Sequence, residues 1–332
     1  MNHEKKITMA HGSGGRATSD LIREIFAHAF ANPVLDAMED AAVVTGSEKI
    51  AFTTDSFVVD PLEFPGGDIG RLSVCGTVND LLMRGAVPKY LTCGFVLQEG
   101  LDIDLLQRVV TSLATTAKEA GVTVVAGDTK VVEGNGGMFI NTSGVGFVPQ
   151  DIHISAANCQ VGDAIIVSGN LGDHHAALLS QRMGISNTIT SDCAPLGEEV
   201  HALLSEKIRV HCLRDITRGG LGTVLKELAE ASQVTMALDE DQIPVDVQVR
   251  DFCGLMGLDP LYMGNEGKLV AFVAPEDAAR ACEILSGCAY GRNAAVIGTV
   301  TDEEPGSAYV RTAIGGKRVL DVLFGEGLPR IC

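Results

Sequence analysis

Apolar and polar positions follow two rhythms along this chain, and the changes of rhythm mark its elements. Residues 49–59, 89–97, 122–126 and 139–148 read as strands, while 68–84 and 102–120 repeat at helical spacing. In the second of these helices Leu105, Val109 and Leu113 recur every four residues, with Leu106 and Val110 beside them. One face is therefore a buried stripe, and Gly121 follows as a C-cap. A polar stretch, 149–160, separates this half from a second that repeats the mixture. There the pattern predicts a strand over 164–167, helices around 174–183, 196–207 and 221–232, a strand over 268–273, a helix over 275–285, and strands over 294–300 and 308–313. The expected architecture is α/β (α+β) in two domains, 1–151 and 152–313, followed by a tail over 314–332. Beyond Leu323 two glycines and a proline prevent regular structure, so a mobile tail is predicted.

Composition narrows the function classes. A chain of 332 residues suits two cores. No apolar run approaches the roughly 18 to 20 residues that span a bilayer, and the N-terminal segment lacks the apolar stretch of a secretory signal, so a cytoplasmic protein with no membrane partner is expected. The net charge of −18 argues against nucleic acid, which is held by clustered Lys and Arg. Nine scattered cysteines without a CxxC pair read mostly as reduced core thiols. Glycine is in excess, at 38 residues, and many of these glycines lie beside aspartates.

Several clusters can carry chemistry. The loop His11-Gly12-Ser13-Gly14-Gly15-Arg16 precedes a predicted helix over 18–30, capped by Thr18 or Ser19, and can present backbone N–H groups to phosphate. It matches neither a Walker nor a Rossmann fingerprint, and an ordinary turn explains it as well. Asp40, Asp55, Asp80, Asp128 and Asp215 border apolar strands or glycine-rich turns; such oxygen ligands suit Mg²⁺, which takes one or two carboxylates plus nucleotide phosphates, although Asp40, Asp55, Asp128 and Asp215 taken singly are better explained by turns or caps. Ser73, Gly76, Thr77 and Asp80 share one helical face, open either to a ligand or to a closely packed neighbour. Arg214 and Arg218 flank a Gly pair before a helix and could hold phosphate oxygens. Asn265-Glu266-Gly267-Lys268 precedes a strand, and Gly172-Asp173-His174-His175 forms a strand-to-helix turn whose histidines can equally be structural. Cys332 lies at the end of the irregular segment, as a carrier arm would place a thiol, and ten extended residues reach at most about 33 Å; composition alone favours an accidental cysteine.

Taken in order, these motifs resemble the HypE family of hydrogenase maturation factors. They are the Gly-rich loop, Asp40-Ala-Ala-Val, Thr54-Asp55, Cys75-Gly-Thr-Val-Asn-Asp80, Gly127-Asp-Thr-Lys130, Arg214-Asp-Ile-Thr-Arg-Gly-Gly-Leu221, Asn265-Glu-Gly267 and Pro329-Arg-Ile-Cys332. The aspartate motifs are shared with aminoimidazole ribonucleotide synthetase, selenophosphate synthetase and thiamine-monophosphate kinase, whereas the Pro-Arg-Ile-Cys ending is specific to HypE. The resemblance implies the two-domain synthetase-like fold, a homodimer paired through N-terminal lobes, and ATP in a cleft. It also implies a reaction: the carbamoyltransferase HypF loads Cys332, ATP-driven dehydration turns the S-carboxamide into an S-cyanide, and the HypC–HypD complex receives the cyanide for its iron.

By the same resemblance, Asp40, Asp80 and Asp215 hold magnesium. Gly12, Ser13, Gly14, Gly15, Asp55, Asp128, Arg214 and Arg218 attend the nucleotide. Glu266 is the first choice of base, Lys130 polarises or shuttles a proton, and His174 comes third. One position departs from the family: His175 stands where Gly-Asp-His-Gly has glycine, which would cost strain if that backbone had positive φ. Two other readings are a selenophosphate synthetase-like ATPase, which would carry a reactive Cys and a Lys where this loop has Ser13 and Arg16, and a non-enzymatic metallocentre scaffold.

Overall fold

Two sheets organise the chain in the computed structural model, which describes residues 6–12, 16–37 and 41–323. The first half opens with α1 (Arg16–Leu21), which runs on into a π-helical stretch, Ile22–Ala27. Helix is thus already present at Arg16, so neither Thr18 nor Ser19 is the predicted cap. Next come β1 (Ile50–Phe57), the short hairpin β2 (Glu63–Phe64) and β3 (Gly67–Asp68), α2 (Ile69–Leu82), β4 (Val87–Gln98), α3 (Ile103–Glu119), β5 (Thr123–Val132) and β6 (Met138–Phe147). The long strands form a sheet in the order β1-β6-β4-β5, with only the β4–β5 pair parallel. Asp68 and Asp102 cap α2 and α3 through their side chains, accepting from N–H groups of the first turn. The predicted stripe of α3 buries Leu106, Val109, Val110 and Leu113 completely, and Gly121 beyond its end has φ +69°, as a left-handed C′ residue requires.

Helix α2 covers one face of this sheet at very close range. A Cβ at Gly76 would stand 2.8 Å from the Phe57 ring, and one at Gly144 would stand 2.8 Å from Thr77. The small residues of α2 are thus there for packing against β1 and β6. The other face is left uncovered by the described residues, with Phe52 73 % exposed and Ile50 and Val96 also open.

The second half contributes β7 (Ala164–Val167), α4 (Asp173–Arg182), α5 (Gly197–Ser205), β8 (Val210–Asp215), α6 (Gly220–Ser232), β9 (Thr235–Asp239), α7 (Val247–Met256), β10 (Leu269–Val273), α8 (Ala278–Gly287), β11 (Ala295–Thr301), β12 (Ala308–Arg311) and β13 (Lys317–Leu320). Its sheet runs β13-β12-β9-β11-β7-β10-β8, antiparallel except for β9–β12. Since β13 pairs with β12, residues 317–320 belong to this sheet and not to a tail. Strands β8, β9 and β13 and helix α7 have no counterpart in the predicted pattern; each is short, and α7 mixes polar and apolar residues.

The segment between α4 and α5 straps the two halves together. Ser191 N–H donates to the Pro65 carbonyl at 2.7 Å, Arg71 Nε donates to the Cys193 carbonyl at 2.8 Å, and the Asn79 amide bonds both Ala194 O and Leu196 N. One apolar cluster accordingly runs from Leu72 and Val78 of α2 to Leu196, Leu213 and Leu269 of the second half. The eight described cysteines are all unpaired, and no described helix is long and apolar enough to cross a membrane.

Candidate active site

Where α2 meets the edge strand β8, a cleft of about 400 Å³ gathers Asp55, Asp80, Asp215, Arg218 and Glu266. Each arrives from a different element. Asp55 lies on the inward-facing parity of β1, beside the α2 face that carries Asp80. Thr53, two residues earlier on that same side, donates Oγ1–H to Asp80 Oδ2 at 2.7 Å. Thr77 Oγ1 donates to Asp55 Oδ2 at 3.3 Å. Asp215 ends β8 and is buried; Arg218 follows in the turn into α6. That turn needs its glycines: Gly219 and Gly220 have φ +80° and +62°, and a Cβ on Gly220 would meet the Leu261 carbonyl at 2.5 Å. Glu266 is held by its backbone, whose N–H donates to Asp192 Oδ1 at 3.1 Å, and Gly267 lets the strap pass in contact, a Cβ there standing 1.9 Å from Asp192 O.

The cleft is electrostatically short of positive charge. Burial raises the Asp55 carboxyl, and the neighbouring Asp80 raises it further, against the hydrogen bond from Thr77. Burial lifts Asp215 to about 7, again with Asp80 adding to the effect. Glu266 is pushed well above the usual carboxylate range by burial first and then by Asp192 and Asp215, while Arg218 opposes. Such a set of oxygens matches a hard divalent cation. Among the described residues no three His, Cys, Asp or Glu side chains are placed to hold a metal by themselves, which is the usual situation for Mg²⁺, completed by substrate phosphates and water. Arg182, Thr217, Ser56 and Asp60 also line the cleft and were not marked by the sequence. Arg182 donates to the Asp60 carbonyl, and its position in the last turn of α4 gave no motif to notice.

Other expected residues lie elsewhere. Asp128 and Lys130 sit on β5, three strands from β1, or about 14 Å at ordinary strand spacing. They also point to the opposite face: Asp128 is in register with Gly94, Asn141 and Ser56, whereas Asp55 is in register with the buried Thr142. Lys130 Nζ donates to Asp128 Oδ1 at 2.6 Å, and that pairing lowers the Asp128 carboxyl. With Gly12, whose Cα packs on Val131, they line a separate cavity of about 440 Å³. Arg214 points away from the cleft toward Glu227, 3.4 Å distant. His174 is fully buried, with Nδ1 2.7 Å from Ser191 Oγ and its ring edge-on to Phe64. It does not reach the cleft, and burial holds it near pKa 4, so its expected role as a base is corrected to an interdomain packing role. The His175 departure carries no strain, because the positive φ of that turn falls on Gly172 and His175 lies in helix α4. Ser13, Gly14, Gly15, Asp40 and Cys332 lie outside the described residues.

Models of the AIR synthase related protein family match both halves of the chain, the N-terminal domain over residues 38–148 and the C-terminal domain over 160–311. The carbamoyl dehydratase HypE of Azotobacter vinelandii is 49 % identical over 331 residues, covering 98 % of this chain and 97 % of its own. The chain belongs to the HypE family of carbamoyl dehydratases. It is therefore a member of a family of enzymes in hydrogenase maturation. A crystal structure of HypE in complex with ATP superposes with a TM-score of 0.94 at 46 % identity, covering 98 % of this chain and 99 % of that one. A HypE–HypF complex contains a chain with a TM-score of 0.80 at 44 % identity, covering 91 % and 99 %.

Proposed function

We propose that this HypE-family chain uses ATP to dehydrate a carboxamide carried on Cys332, giving the S-cyanide that becomes the cyanide ligand of hydrogenase iron. The observation that carries the reading is the convergence of Asp55, Asp80, Asp215, Arg218 and Glu266 in one cleft, in a chain so similar to a protein solved with ATP. Oxide is a poor leaving group. Transfer of the γ-phosphoryl to the carboxamide oxygen converts it to phosphate, and cleavage of the C–O bond with loss of the remaining N–H proton leaves the nitrile; both amide protons depart overall. Asp80 and Asp55, with Asp215 and Asp40, would hold Mg²⁺, which when bound offsets the charge of the phosphates. Arg218 supplies a fixed positive charge beside them. Glu266, ionised once a cation offsets the charge of Asp215 beside Arg218, would accept a proton from the amide.

Lys130 and Asp128 do not reach the carboxylate cleft of their own protomer, and the sheet face that carries them is uncovered by the described residues, with Phe52 at its β1 edge. This open face supports a homodimer in which Lys130 would serve the partner's cleft, as Asp128 and the 12–15 loop would. The root of the arm is also suitably placed: Asp321 N–H donates to Tyr262 Oη at 3.1 Å, and Tyr262 packs on Gly220 and Gly222 beside Arg218. The eleven residues from there to Cys332 reach at most about 36 Å when extended. HypF would load Cys332, as the solved HypE–HypF complex suggests, and HypC–HypD would take the cyanide, all in the cytoplasm.

The test is the mass of the peptide bearing Cys332 after loading by HypF, with and without ATP. A loss of one water on adding ATP is expected, and Cys332→Ala should abolish both loading and loss while leaving ATP binding intact. The same modification appearing on another cysteine of Cys332→Ala would sink the carrier-arm reading.

A further inference from the structure

Of the acidic side chains that line the carboxylate cleft, Asp55, Asp80, Asp215 and Glu266 are buried or half-buried, whereas Asp60 is exposed. It stands just beyond the end of β1, where its backbone carbonyl accepts from Arg182 Nε. The adjacent Gln181 Nε2 donates to the Glu63 carbonyl at 3.3 Å, so the last turn of α4 is tied to this loop through backbone oxygens. The Asp60 carboxylate is not used in that tie. Among the described residues it takes part in no hydrogen bond or ion pair, although it faces the cleft and is open to a ligand.

The arm supplies the matching charge. Between Phe324 and Cys332 the sequence carries a single cationic side chain, Arg330, and Pro329 before it fixes its own φ and favours an extended Leu328. In an extended segment residues two apart point to the same side, so an arm that delivers Cys332 into the cleft brings the Arg330 guanidinium to it as well. There it meets Arg182 and Arg218, both exposed, and is repelled unless a carboxylate receives it. In the reaction proposed above the inner carboxylates attend the cation and the amide proton, which leaves Asp60. We propose that Asp60 is the docking residue for the arm, accepting the Arg330 guanidinium in a charge-assisted pair and so setting how Cys332 enters the cleft. The proposal rests on the carrier-arm reading of Cys332 and adds to it the residue that receives the arm.

The experiment is the rate at which iodoacetamide alkylates the Cys332 thiol in the full chain with MgATP present, followed by the mass of its peptide. Asp60→Arg and Arg330→Asp should each speed alkylation by about tenfold or more, the scale of one charge-assisted hydrogen bond. The two together should restore the slow rate, because the pair re-forms with its charges exchanged. Should Asp60→Arg fail to fold, Asp60→Asn decides: it should speed alkylation in the native chain and have no further effect in Arg330→Asp. Its affinity for MgATP, measured by calorimetry, should equal that of wild type. Single changes without effect, effects that simply add in the double variant, or a loss of MgATP affinity in Asp60→Asn, which would give Asp60 to the nucleotide, overturns the proposal. The dehydration reading fails by a different observation, a loaded wild-type chain that loses no water on adding ATP, and the alkylation rates decide the docking of the arm whichever way that result falls.

Discussion

Thr53 donates its hydroxyl to Asp80 at 2.7 Å, tying the first strand of the sheet to the helix that covers it. The bond fixes one carboxylate oxygen of Asp80 while the carboxylate as a whole raises the proton affinity of both Asp55 and Asp215. Asp80 is thus a source of repulsion in the empty protein and of charge neutralisation with a cation in place.

From this opposition the behaviour of Asp80→Asn follows. An Asn oxygen still accepts from Thr53, and the repulsion is gone, so the thermal midpoint without nucleotide should hold or rise. ATP-dependent dehydration should fall by about a hundredfold or more, the scale of losing a ligand or charge partner in the transition state. Turnover and calorimetric melting on the same sample check both halves; unchanged turnover would remove Asp80 from the site.

Glu266→Gln separates binding from chemistry. The backbone N–H that Asp192 holds is unaffected, and the amide fills the same space, so nucleotide binding and loading of Cys332 should persist. The loaded S-carboxamide should accumulate, seen by mass as a peptide that loses no water on adding ATP. Normal cyanide formation in this variant would move the proton-accepting role to Lys130.

Gly267 and Gly254 predict opposite outcomes for the same change. At Gly267 a methyl group would collide with the backbone of Asp192 and Ala194, so Gly267→Ala should destabilise by about 1–3 kcal/mol and displace Glu266. Gly254 is an exposed residue of α7 with nothing near its missing Cβ, so Gly254→Ala should stabilise by about 0.5–1 kcal/mol. Denaturant unfolding of the two variants measures the contrast.

His175 supplies a pH dependence whose sign is fixed by burial. Its folded pKa is held down to about 4, mainly by desolvation and then by Arg182, against the ordinary 6.5. Between these values the unfolded chain binds a proton that the folded one does not. The stability it contributes is therefore complete above about 6.5 and is lost as pH falls toward 4, by about 1.4 kcal/mol per pH unit. Asp173, raised to about 7, has the opposite sign, its contribution being lost as pH rises from about 4 to 7. Comparing wild type with His175→Gln cancels that opposing effect: the stability advantage of wild type over the variant should shrink as pH falls through this window, and a constant difference would refute the assignment.

Local patterns determined much of the first half. The four-residue recurrence of Leu105, Val109 and Leu113 and the closing Gly121 act within one or two helical turns, so α3 was legible without knowing its neighbours. The motif aspartates Asp55, Asp80 and Asp215 were marked as candidates only by the family resemblance of their motifs, since a turn or cap role suited Asp55 and Asp215 singly and Asp80 could equally end a packed helical face. Which of them meet was decided only by tertiary structure. Strand parity and order send Asp55 to the covered face and Asp128 with Lys130 to the open one, three strands away, although both pairs stood in equally persuasive motifs. Arg214 and Arg218 differ by one strand end and one turn, and only the fold turns one outward and the other into the cleft. His174 was a candidate base by residue type, yet packing against Phe64 and Ser191 buried it away from any substrate. Sequence fixes what a side chain can do; register, face and burial, which depend on contacts tens of residues apart, fix what it can touch.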